Sequence, residues 1–339
     1  MRILVTGGAG FIGSDLVRSL TRDGCGISVV DKLNYAGDLR RLEEARDRIN
    51  FYQLDITDEK GLREVFEKEK PEVVVHYAAE THVDRSILDP DVFVKANVIG
   101  TLNLLKLSLK HGVRKFVHIS TDEVYGELPL DSESKFTEDS PLQPNSPYSA
   151  SKTSAEMLVR SFVETYDLPA VIVRASNAYG PWQYPEKLIP LSIARLLSDE
   201  KISVYGTGQN VRTWLFVEDF TEAVLKIIEK GEKGEIYNVG SAEEKKNIEV
   251  VRKLLELLDK SEDFIEFVPD RPGHDLRYAV DTTKIERELG WRAKVDFEEG
   301  MRRTVEWYLD NRDWLFEKKK EVETFVNQLR KEFERWASR

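Results

Sequence analysis

The sequence has a single cysteine, Cys25, among its 339 residues. One thiol can form neither an internal disulfide nor a multi-thiolate metal site, so both are excluded. The five histidines are scattered without the spacing of metal ligands, and we expect no metal. The first residues include no apolar run long enough for a signal peptide or a membrane span. We therefore expect a cytoplasmic protein with no membrane partner.

The sequence also lacks an excess of positive charge. It has 50 basic and 61 acidic residues, which gives a net charge of -11, and the two signs are interspersed. Proteins that neutralise a phosphate backbone carry a basic stripe, so nucleic acid is not an expected partner. The length suffices for one large or two modest domains with a buried core.

Apolar, β-branched segments alternate with stretches of helical periodicity in the first half of the chain. The predicted strands are residues 3–6, 27–30, 51–54, 73–77, 116–119 and 170–174, and the clearest predicted helices are residues 11–22, 97–111 and 148–165. Strands that alternate with helices across short connections predict an α/β fold, a doubly wound parallel Rossmann sheet with helices on both faces.

The alternation stops after Arg174, where residues 176–190 include three prolines. A predicted helix at 218–229 and a strand at 236–239 then rejoin the sheet. We predict a dinucleotide-binding domain of residues 1–174 plus about 211–240, and a smaller, discontinuous substrate domain of residues 175–210 plus 241–339. The last segment is charged and helical in pattern, with a predicted packing stripe of Phe316, Val322, Phe325, Leu329 and Phe333.

A glycine-rich loop follows the first strand and opens the first helix. Glycines in this setting let a pyrophosphate approach backbone amides at a helix N-terminus. Eighteen residues beyond Gly13, Asp31 ends the second strand, where a carboxylate binds ribose hydroxyls and repels a 2'-phosphate. This favours NAD over NADP as the cofactor. The predicted cofactor-binding residues are Gly7, Gly10, Phe11, Ile12, Gly13, Asp31, Asp55, Ile56, Ala78, Ala79, Tyr148 and Lys152.

Two acidic residues, Asp122 and Glu123, come directly after the strand at 116–119, where a parallel sheet presents its chemistry. Further on, Tyr148 and Lys152 are four residues apart behind Ser146-Pro147, a helix-start signal that puts both on one helical face. A nearby ammonium favours the phenolate, so we expect a lowered pKa for Tyr148. A Tyr-x-x-x-Lys pair arises by chance about once in such a chain, and its meaning depends on the glycine loop before it.

Together, residues 6–13, the hydroxyls at 120 and 121, and the Tyr148/Lys152 pair resemble the extended short-chain dehydrogenase/reductase family. Within it, residues 78–86, 120–126, 147–152, 185–190, 212–219 and 271–275 are similar to the dTDP-glucose 4,6-dehydratases, over nearly the whole chain to about Trp291. The resemblance implies a nucleotide-sugar substrate, oxidation at C4, loss of water across C5 and C6, and return of hydride to C6, as in deoxysugar and dTDP-rhamnose biosynthesis. It also implies a homodimer through a four-helix bundle.

The same resemblance assigns roles to residues. Tyr148 is the base at the C4 hydroxyl, Thr121 binds the C4 oxygen, Glu123 is the base at C5 and Asp122 the acid at C6. Asp122 must then be protonated, and a closed site with a neighbouring carboxylate raises its pKa. The implied substrate-binding residues are Ser86, Asn177, Lys187, Leu188, Tyr205, Arg212, Asn247 and Arg271.

Other interpretations stay open. A solvated acidic pair, a domain-domain salt bridge for the arginines, and surface exposure of Tyr205 and Asn247 are the plainer interpretations of these residues. The chain also departs from the family at Ala178, Ser203 and Thr213, which lie on the substrate side. A UDP-sugar 4,6-dehydratase, a nucleotide-sugar 4-epimerase or decarboxylase, and a non-catalytic NAD-dependent sensor are therefore the competing functions.

Overall fold

The computed structural model describes residues 1–22 and 24–337, with the backbone alone at 324, 326–330 and 332–337. The strands are β1 (Arg2–Thr6), β2 (Gly26–Asp31), β3 (Ile49–Gln53), β4 (Val73–His76), β5 (Lys115–Thr121), β6 (Ala170–Ala175), β7 (Asn177–Tyr179), β8 (Ile202–Tyr205), β9 (Val211–Phe216), β10 (Ile236–Val239), β11 (Glu244–Lys246) and β12 (Ile265–Val268). The α-helices are α1 (Phe11–Arg22), α2 (Glu59–Glu69), α3 (Val83–Leu88), α4 (Pro90–Phe93), α5 (Gly100–Lys110), α6 (Pro147–Tyr166), α7 (Leu188–Leu196), α8 (Val217–Lys230), α9 (Asn247–Leu257), α10 (Thr283–Leu289), α11 (Phe297–Asp310) and α12 (Arg312–Ala337). Short 3₁₀ helices span Leu39–Arg48, Asp122–Tyr125 and Glu262–Phe264.

Seven strands form a parallel sheet in the order β10-β6-β5-β4-β1-β2-β3. The strand order reverses between β1 and β4, which opens a crevice at the carboxyl ends of these strands. Apolar side chains from α1 and α8 cover one face of the sheet, and those from α2, α5 and α6 cover the other. The predicted doubly wound α/β fold is confirmed, and β10 rejoins the sheet beside β6 as expected.

A second core lies outside this sheet. It gathers buried side chains from α7, α9 and α11 around β8 and β9. Strand β9 pairs with β7 and β11 in a three-stranded sheet, whereas β8 pairs with β12. Trp214 and Phe216 of β9 belong to this second core, while Leu215 packs into the first. The segment at 211–216, which the sequence assigns to the dinucleotide domain, thus contributes to both cores, and the domain division stays a prediction.

The helical segment before β5 is longer than the sequence predicts. Helix α4 continues through a π-helical turn, Val94–Ile99, into α5. This stretch, Pro90–Lys110, is the one described helix that is long and apolar enough by length and composition to cross a membrane, and 56% of its apolar window is buried inside the protein. Partial burial of this kind is common for the core helix of a globular domain.

Helix α12 packs on the second core and also contacts Arg40 and Arg85. Trp314, Leu315 and Val322 are buried against the rest of the protein, and Phe325 stacks on Arg85 with the ring centroid 3.6 Å from the guanidinium carbon. The predicted stripe is therefore correct at Val322 and Phe325, and Phe316 is half-buried. The side chains of Leu329 and Phe333 lie outside the described part of the chain.

Candidate functional site

A cleft of about 310 Å³ opens at the carboxyl ends of β1, β4, β5 and β6. Its volume falls in the range typical of small-molecule sites. The cleft brings together all twelve predicted cofactor-binding residues, the three remaining predicted catalytic residues Thr121, Asp122 and Glu123, and two predicted substrate residues, Asn177 and Lys187.

The glycine loop packs closely against neighbouring backbone atoms, which leaves no space for side chains at two of its positions. Gly7 has a positive φ of 70°, and a Cβ there would lie 2.6 Å from the amide nitrogen of Ala78. A Cβ on Gly13 would lie 2.4 Å from the carbonyl oxygen of Gly7. Both positions thus require glycine, and the loop leaves the amides at the start of α1 accessible. Amides and the positive end of a helix dipole suit a pyrophosphate group.

Asp31 ends β2 beside this loop. Its two carboxylate oxygens accept hydrogen bonds from the amides of Ala9 and Leu33, each at 2.9 Å. Burial raises the pKa of Asp31, and these amides oppose the rise. Each oxygen keeps a lone pair that a ribose hydroxyl can use. Asp31 therefore fits the predicted ribose contact and in addition holds the glycine loop in shape.

Helix α6 carries the tyrosine and the lysine. Ser146 and Ser149 form a capping box at its start, and Pro147 takes the first helical position. One turn apart, Tyr148 and Lys152 are both buried on the face toward the cleft. The ammonium of Lys152 donates to the carbonyl oxygen of Ile119 at 2.6 Å. This bond fixes α6 against β5, the strand that leads into the acidic pair.

The expected pKa of Tyr148 is wrong for this structure. Burial raises the pKa of the phenol, and the nearby Glu123 and Asp122 raise it further, while contact with the Thr121 hydroxyl acts in the opposite direction. Lys152 does not offset this, because its ammonium is bonded to Ile119 and burial lowers its own pKa to about 8. The lysine alone predicts a lowered pKa for Tyr148, and burial together with the two carboxyl groups reverses that direction.

The acidic pair occupies the 3₁₀ turn after β5. Asp122 is 1% exposed, and among the described residues its Oδ2 has no hydrogen-bond partner. Burial raises the pKa of Asp122 to about 8, Glu123 adds to the rise, and Arg212 opposes it. Burial also raises the pKa of Glu123, but Arg271, Arg212 and Lys187 oppose that rise. Both pKa values are thus raised. The pKa of about 8 for Asp122 agrees with the protonated acid that the resemblance implies, and Glu123 is the neighbour that has three cations acting on it.

Two arginines supply the positive charge near Glu123. Arg212 is buried, donates to the carbonyl oxygens of Val211 and Asp275, and stacks on the ring of Tyr278. Arg271 forms an ion pair with Asp84 at 3.4 Å, and its Nη1 is buried without a partner among the described residues. Asn177 also presents a buried Oδ1 that lacks a partner there. These polar atoms are suited to an anionic, hydroxyl-rich ligand.

Six of the eight predicted substrate residues lie outside the lining of the cleft, and their roles stay predictions. Two of them are Arg212 and Arg271, whose charges act on Glu123. Tyr205 donates to Asp84 at 3.0 Å, which places it beside Arg271. The hydroxyl of Ser86 is bonded to the carbonyl oxygen of Val83. Leu188 and Asn247 begin α7 and α9.

The three residues at which the chain departs from the family lie in different places. Ala178 lines the cleft. Ser203 accepts a hydrogen bond from Arg195, and Thr213 donates one to the carbonyl oxygen of Tyr278.

Sequence reasoning missed several polar residues of the cleft. These are Lys32, Tyr35, Arg41, Glu80, Tyr184 and Glu186. Glu186 accepts from Tyr35 at 3.2 Å across 151 positions of sequence, and Lys32 forms an ion pair with Glu80 at 2.7 Å. Such pairings depend on how loops that are distant in sequence meet, for which the sequence has no local spacing. The position of Lys32 directly after Asp31 was the one available signal.

Comparison with known proteins agrees with this geometry. The sequence model of the family described as GDP-mannose 4,6 dehydratase matches residues 4–304. A dTDP-glucose 4,6-dehydratase from Neisseria meningitidis is 48% identical over 336 residues, which cover 92% of this chain and 94% of that protein.

Solved structures share the fold. A dTDP-glucose 4,6-dehydratase from Streptomyces venezuelae, solved with NAD bound, superposes with a TM-score of 0.89 at 44% identity, and the match covers 93% of this chain and 98% of that one. A UDP-glucose 4-epimerase from Thermotoga maritima, solved with UDP-glucose, has a TM-score of 0.87 at 35% identity, with 92% and 99% of the chains covered. The fold therefore serves more than one reaction, and the residues of the site decide between them.

Proposed function

Because the chain belongs to the GDP-mannose 4,6 dehydratase family, we propose that it catalyses the NAD-dependent 4,6-dehydration of a nucleoside-diphosphate hexose, with dTDP-glucose as substrate and dTDP-4-keto-6-deoxyglucose as product. It is an enzyme, a carbon-oxygen lyase. The observation that carries the choice of reaction is the buried pair at the end of β5. Asp122 is 1% exposed, its Oδ2 has no hydrogen-bond partner among the described residues, and burial and the neighbouring Glu123 raise its pKa to about 8. Elimination of water needs one acid and one base on adjacent carbons, and this pair supplies both.

The residues around the cleft fit NAD. The glycine loop suits a pyrophosphate, and Asp31 suits an adenosine ribose without a 2'-phosphate. Gly10, Phe11 and Ile12 would bind the pyrophosphate, Asp55 and Ile56 would meet the adenine, and Ala78 and Ala79 leave room beside the sheet. When bound, NAD accepts a hydride from C4 of the sugar and later returns it to C6.

Tyr148 starts the reaction as a phenolate that takes the proton of the C4 hydroxyl, while Thr121 binds the same oxygen. Since burial and the two carboxyl groups raise the pKa of this phenol, the phenolate depends on the positive charge that an oxidised nicotinamide would bring into the cleft. Lys152, anchored to Ile119, holds the helix that carries Tyr148 in register with the acidic pair. Oxidation at C4 makes the C5 hydrogen acidic, and Glu123 removes it. Asp122 gives its proton to the C6 hydroxyl, which leaves as water.

The second half of the reaction restores the enzyme. Glu123 returns its proton to C5 as the C6 carbon is reduced. Tyr148 still carries the proton from the C4 hydroxyl, and this proton replaces the one that Asp122 lost with the water. The net change is loss of one water molecule, and every enzyme group ends in its starting state. Arg212, Arg271, Lys187 and Asn177 bind the diphosphate and the sugar.

The test uses purified protein without added NAD, incubated with dTDP-glucose and separately with UDP-glucose, and follows the alkali-induced absorbance of a 4-keto sugar. We expect product from dTDP-glucose. Product from UDP-glucose alone would contradict the choice of nucleotide and direct attention to Ala178, the family departure that lines the cleft. No 4-keto product from either substrate, even with added NAD, would contradict dehydration and support the epimerase, decarboxylase or sensor.

We also propose that the enzyme is a homodimer. Helical residues 90–110 and α6 carry several exposed apolar side chains. Single exposed apolar residues are normal on a protein surface, whereas a group of them indicates an interaction site. These are Val92, Val94, Ile99 and Leu109 on the first stretch and Met157 on α6. Two copies that pack these helices together would form a four-helix bundle. Light scattering at micromolar concentration should give a dimer mass, and Ile99→Arg should give a monomer.

The cytoplasm is the proposed location, and deoxysugar synthesis, such as that of dTDP-rhamnose, is the proposed pathway. Partial burial of residues 90–110 and the single cysteine support the cytoplasmic location.

The product supports the proposed pathway, because a 4-keto-6-deoxy sugar is a substrate for epimerisation and reduction. We propose no nucleic-acid or membrane partner.

A further inference from the structure

One buried cation, Arg41, joins three separate parts of the cleft. It is 1% exposed. Its guanidinium donates to the carbonyl oxygen of Ala9 at 2.9 Å, to that of Ala36 at 2.5 Å, and to that of Trp182 at 3.1 and 2.9 Å. Ala9 lies in the glycine loop, Ala36 in the loop after β2, and Trp182 in the segment that follows β7. Arg41 therefore fastens the proposed pyrophosphate loop to the substrate domain.

The charge of Arg41 has no direct ion-pair partner in the described part of the chain. Among the side chains that the structure describes, no carboxylate forms an ion pair with its guanidinium, and the charges of Asp38 and Asp31 act on it from further away. A buried cation that donates its hydrogen bonds to neutral carbonyl oxygens keeps much of its positive potential. Arg41 also lines the cleft that contains Gly10, Phe11 and Ile12. A dianionic pyrophosphate bound there would be attracted by this charge.

Helix α12 covers Arg41 from outside. The ring of Trp314 lies with its centroid 5.6 Å from the guanidinium carbon, and its indole nitrogen donates to Asp38 at 2.9 Å. The neighbouring Arg40 makes a bidentate contact with Glu317 of the same helix, both bonds being 2.9 Å. The family match ends at residue 304, before α12 begins. This cover is therefore made by a segment beyond the matched region.

We propose that Arg41 is a positioning residue for the dinucleotide, and that α12, through Trp314, holds it in place so that the dinucleotide is retained from one turnover to the next. The inference rests on the proposed function, since it takes the pyrophosphate loop to bind NAD. Loss of Arg41 frees the glycine loop and removes the positive charge behind it. Release of the dinucleotide then accelerates, whereas the acid and base groups at 121–123 and 148 stay in place.

The experiment measures the rate at which bound dinucleotide exchanges with an excess of labelled NAD in the purified holoenzyme. The variants are Arg41→Gln, Arg41→Lys and Trp314→Phe. Lys319→Ala is the matched control, because Lys319 ties α12 to Glu200 without contact to residues 38–41. We expect Arg41→Gln to release dinucleotide about tenfold faster or more, which corresponds to about 1.4 kcal/mol of binding free energy. Arg41→Lys and Trp314→Phe should be intermediate, and Lys319→Ala should match the parent.

Steady-state kinetics distinguish a role of Arg41 in holding the dinucleotide from a general role in the structure of the active site. With saturating NAD, the kcat of Arg41→Gln should recover to within about threefold of the parent, since the chemical groups are untouched. An unchanged exchange rate in folded Arg41→Gln overturns the inference. If that variant does not fold, Trp314→Phe decides in the same way. Equal acceleration in Lys319→Ala also overturns it, because docking of α12 in general would then be the cause.

Different results would contradict the proposed function and the proposed role of Arg41. A parent enzyme that holds no dinucleotide and makes no 4-keto product contradicts the function itself. A parent that retains dinucleotide and converts dTDP-glucose, with variants that release it at the parental rate, contradicts only the role of Arg41.

Discussion

The ammonium of Lys152 donates a 2.6 Å hydrogen bond to the carbonyl oxygen of Ile119, two residues before the end of β5. The bond joins the helix that carries Tyr148 to the strand that leads into Asp122 and Glu123. Catalytic groups far apart in sequence are thereby held by a backbone atom, which moves less than a side chain. The distance between the tyrosine and the acidic pair is set by this contact and by the capping box at Ser146.

Tyr148→Phe should abolish most activity without loss of structure. The variant keeps the ring, which packs edge-on against Phe93, and loses the hydroxyl that accepts the C4 proton. Loss of a proton-transfer group costs about 10²–10⁴-fold in kcat. Tyr166→Phe is the matched control, because Tyr166 ends the same helix and is more than half exposed. Initial rates with dTDP-glucose test this, and equal rates for the two variants would contradict the assignment.

Asp122→Asn and Glu123→Gln should fail at elimination and not at oxidation. Neither variant can complete the loss of water, since one lacks the acid and the other the base, and kcat should fall about 10²-fold or more in each. Tyr148 still takes the C4 proton in both. Rapid mixing with dTDP-glucose should therefore show the near-ultraviolet absorbance of reduced nicotinamide without a 4-keto-6-deoxy product. Absence of that signal in both variants would place the carboxyl groups in the first step.

The raised pKa of Asp122 predicts how stability depends on pH. The carboxyl has a pKa of about 8 in the folded protein against 3.8 as the ordinary value, so between these values the folded state binds one more proton than the unfolded state. Stability from this group is then greatest at low pH and falls as pH rises through that window. Asp122→Asn removes the dependence. We expect the variant to gain stability relative to the parent from pH 4 to pH 8, measured by urea unfolding.

The control for this prediction is Asp139→Asn, which changes an exposed carboxyl. Its difference from the parent should stay constant over the same range. A constant difference for Asp122→Asn as well would show that Asp122 is ionised at neutral pH, and would remove the basis for its role as the acid.

A buried ion pair behind the catalytic helix should be costly to break. Glu156 and Arg174 are 0% and 2% exposed at their side chains and bond bidentately, with the closest contact at 2.8 Å. Glu156→Ala leaves a buried arginine without its partner, which costs about 3–5 kcal/mol of unfolding free energy. Glu262→Ala, which breaks the exposed Arg252–Glu262 pair, should cost less than about 1 kcal/mol. Similar losses in the two variants would show that Arg174 is compensated by Tyr125 and the carbonyl of Glu138.

The sequence predicts the sheet and the glycine loop well because both depend on short patterns. Helix α1 has the predicted bounds, and Asp31 ends β2 as expected. The π-helical turn at Val94–Ile99 and the pairing of β9 with β7 and β11 depend on packing between distant segments, and no local pattern marks them.

The residues of the site likewise divide into those that a local sequence pattern predicts and those that depend on distant segments. Tyr148 and Lys152 face one cleft because a helix places residues four apart on one side. The predicted lowering of the pKa of Tyr148 is wrong because burial raises this pKa, and carboxyl groups more than twenty residues away in sequence raise it further. Arg41 was missed because its partners are carbonyl oxygens, which any residue supplies.

The position of β10 affects how the chain can be synthesised. This strand completes the sheet beside β6, yet the 60 residues from 176 to 235 lie between the two in sequence. During translation, β6 therefore leaves the ribosome long before its outer neighbour, and the nascent sheet has an open edge of unpaired amides and carbonyls. Another nascent chain can pair with such an edge. Until Val239 emerges, correct folding competes with association between neighbouring ribosomes.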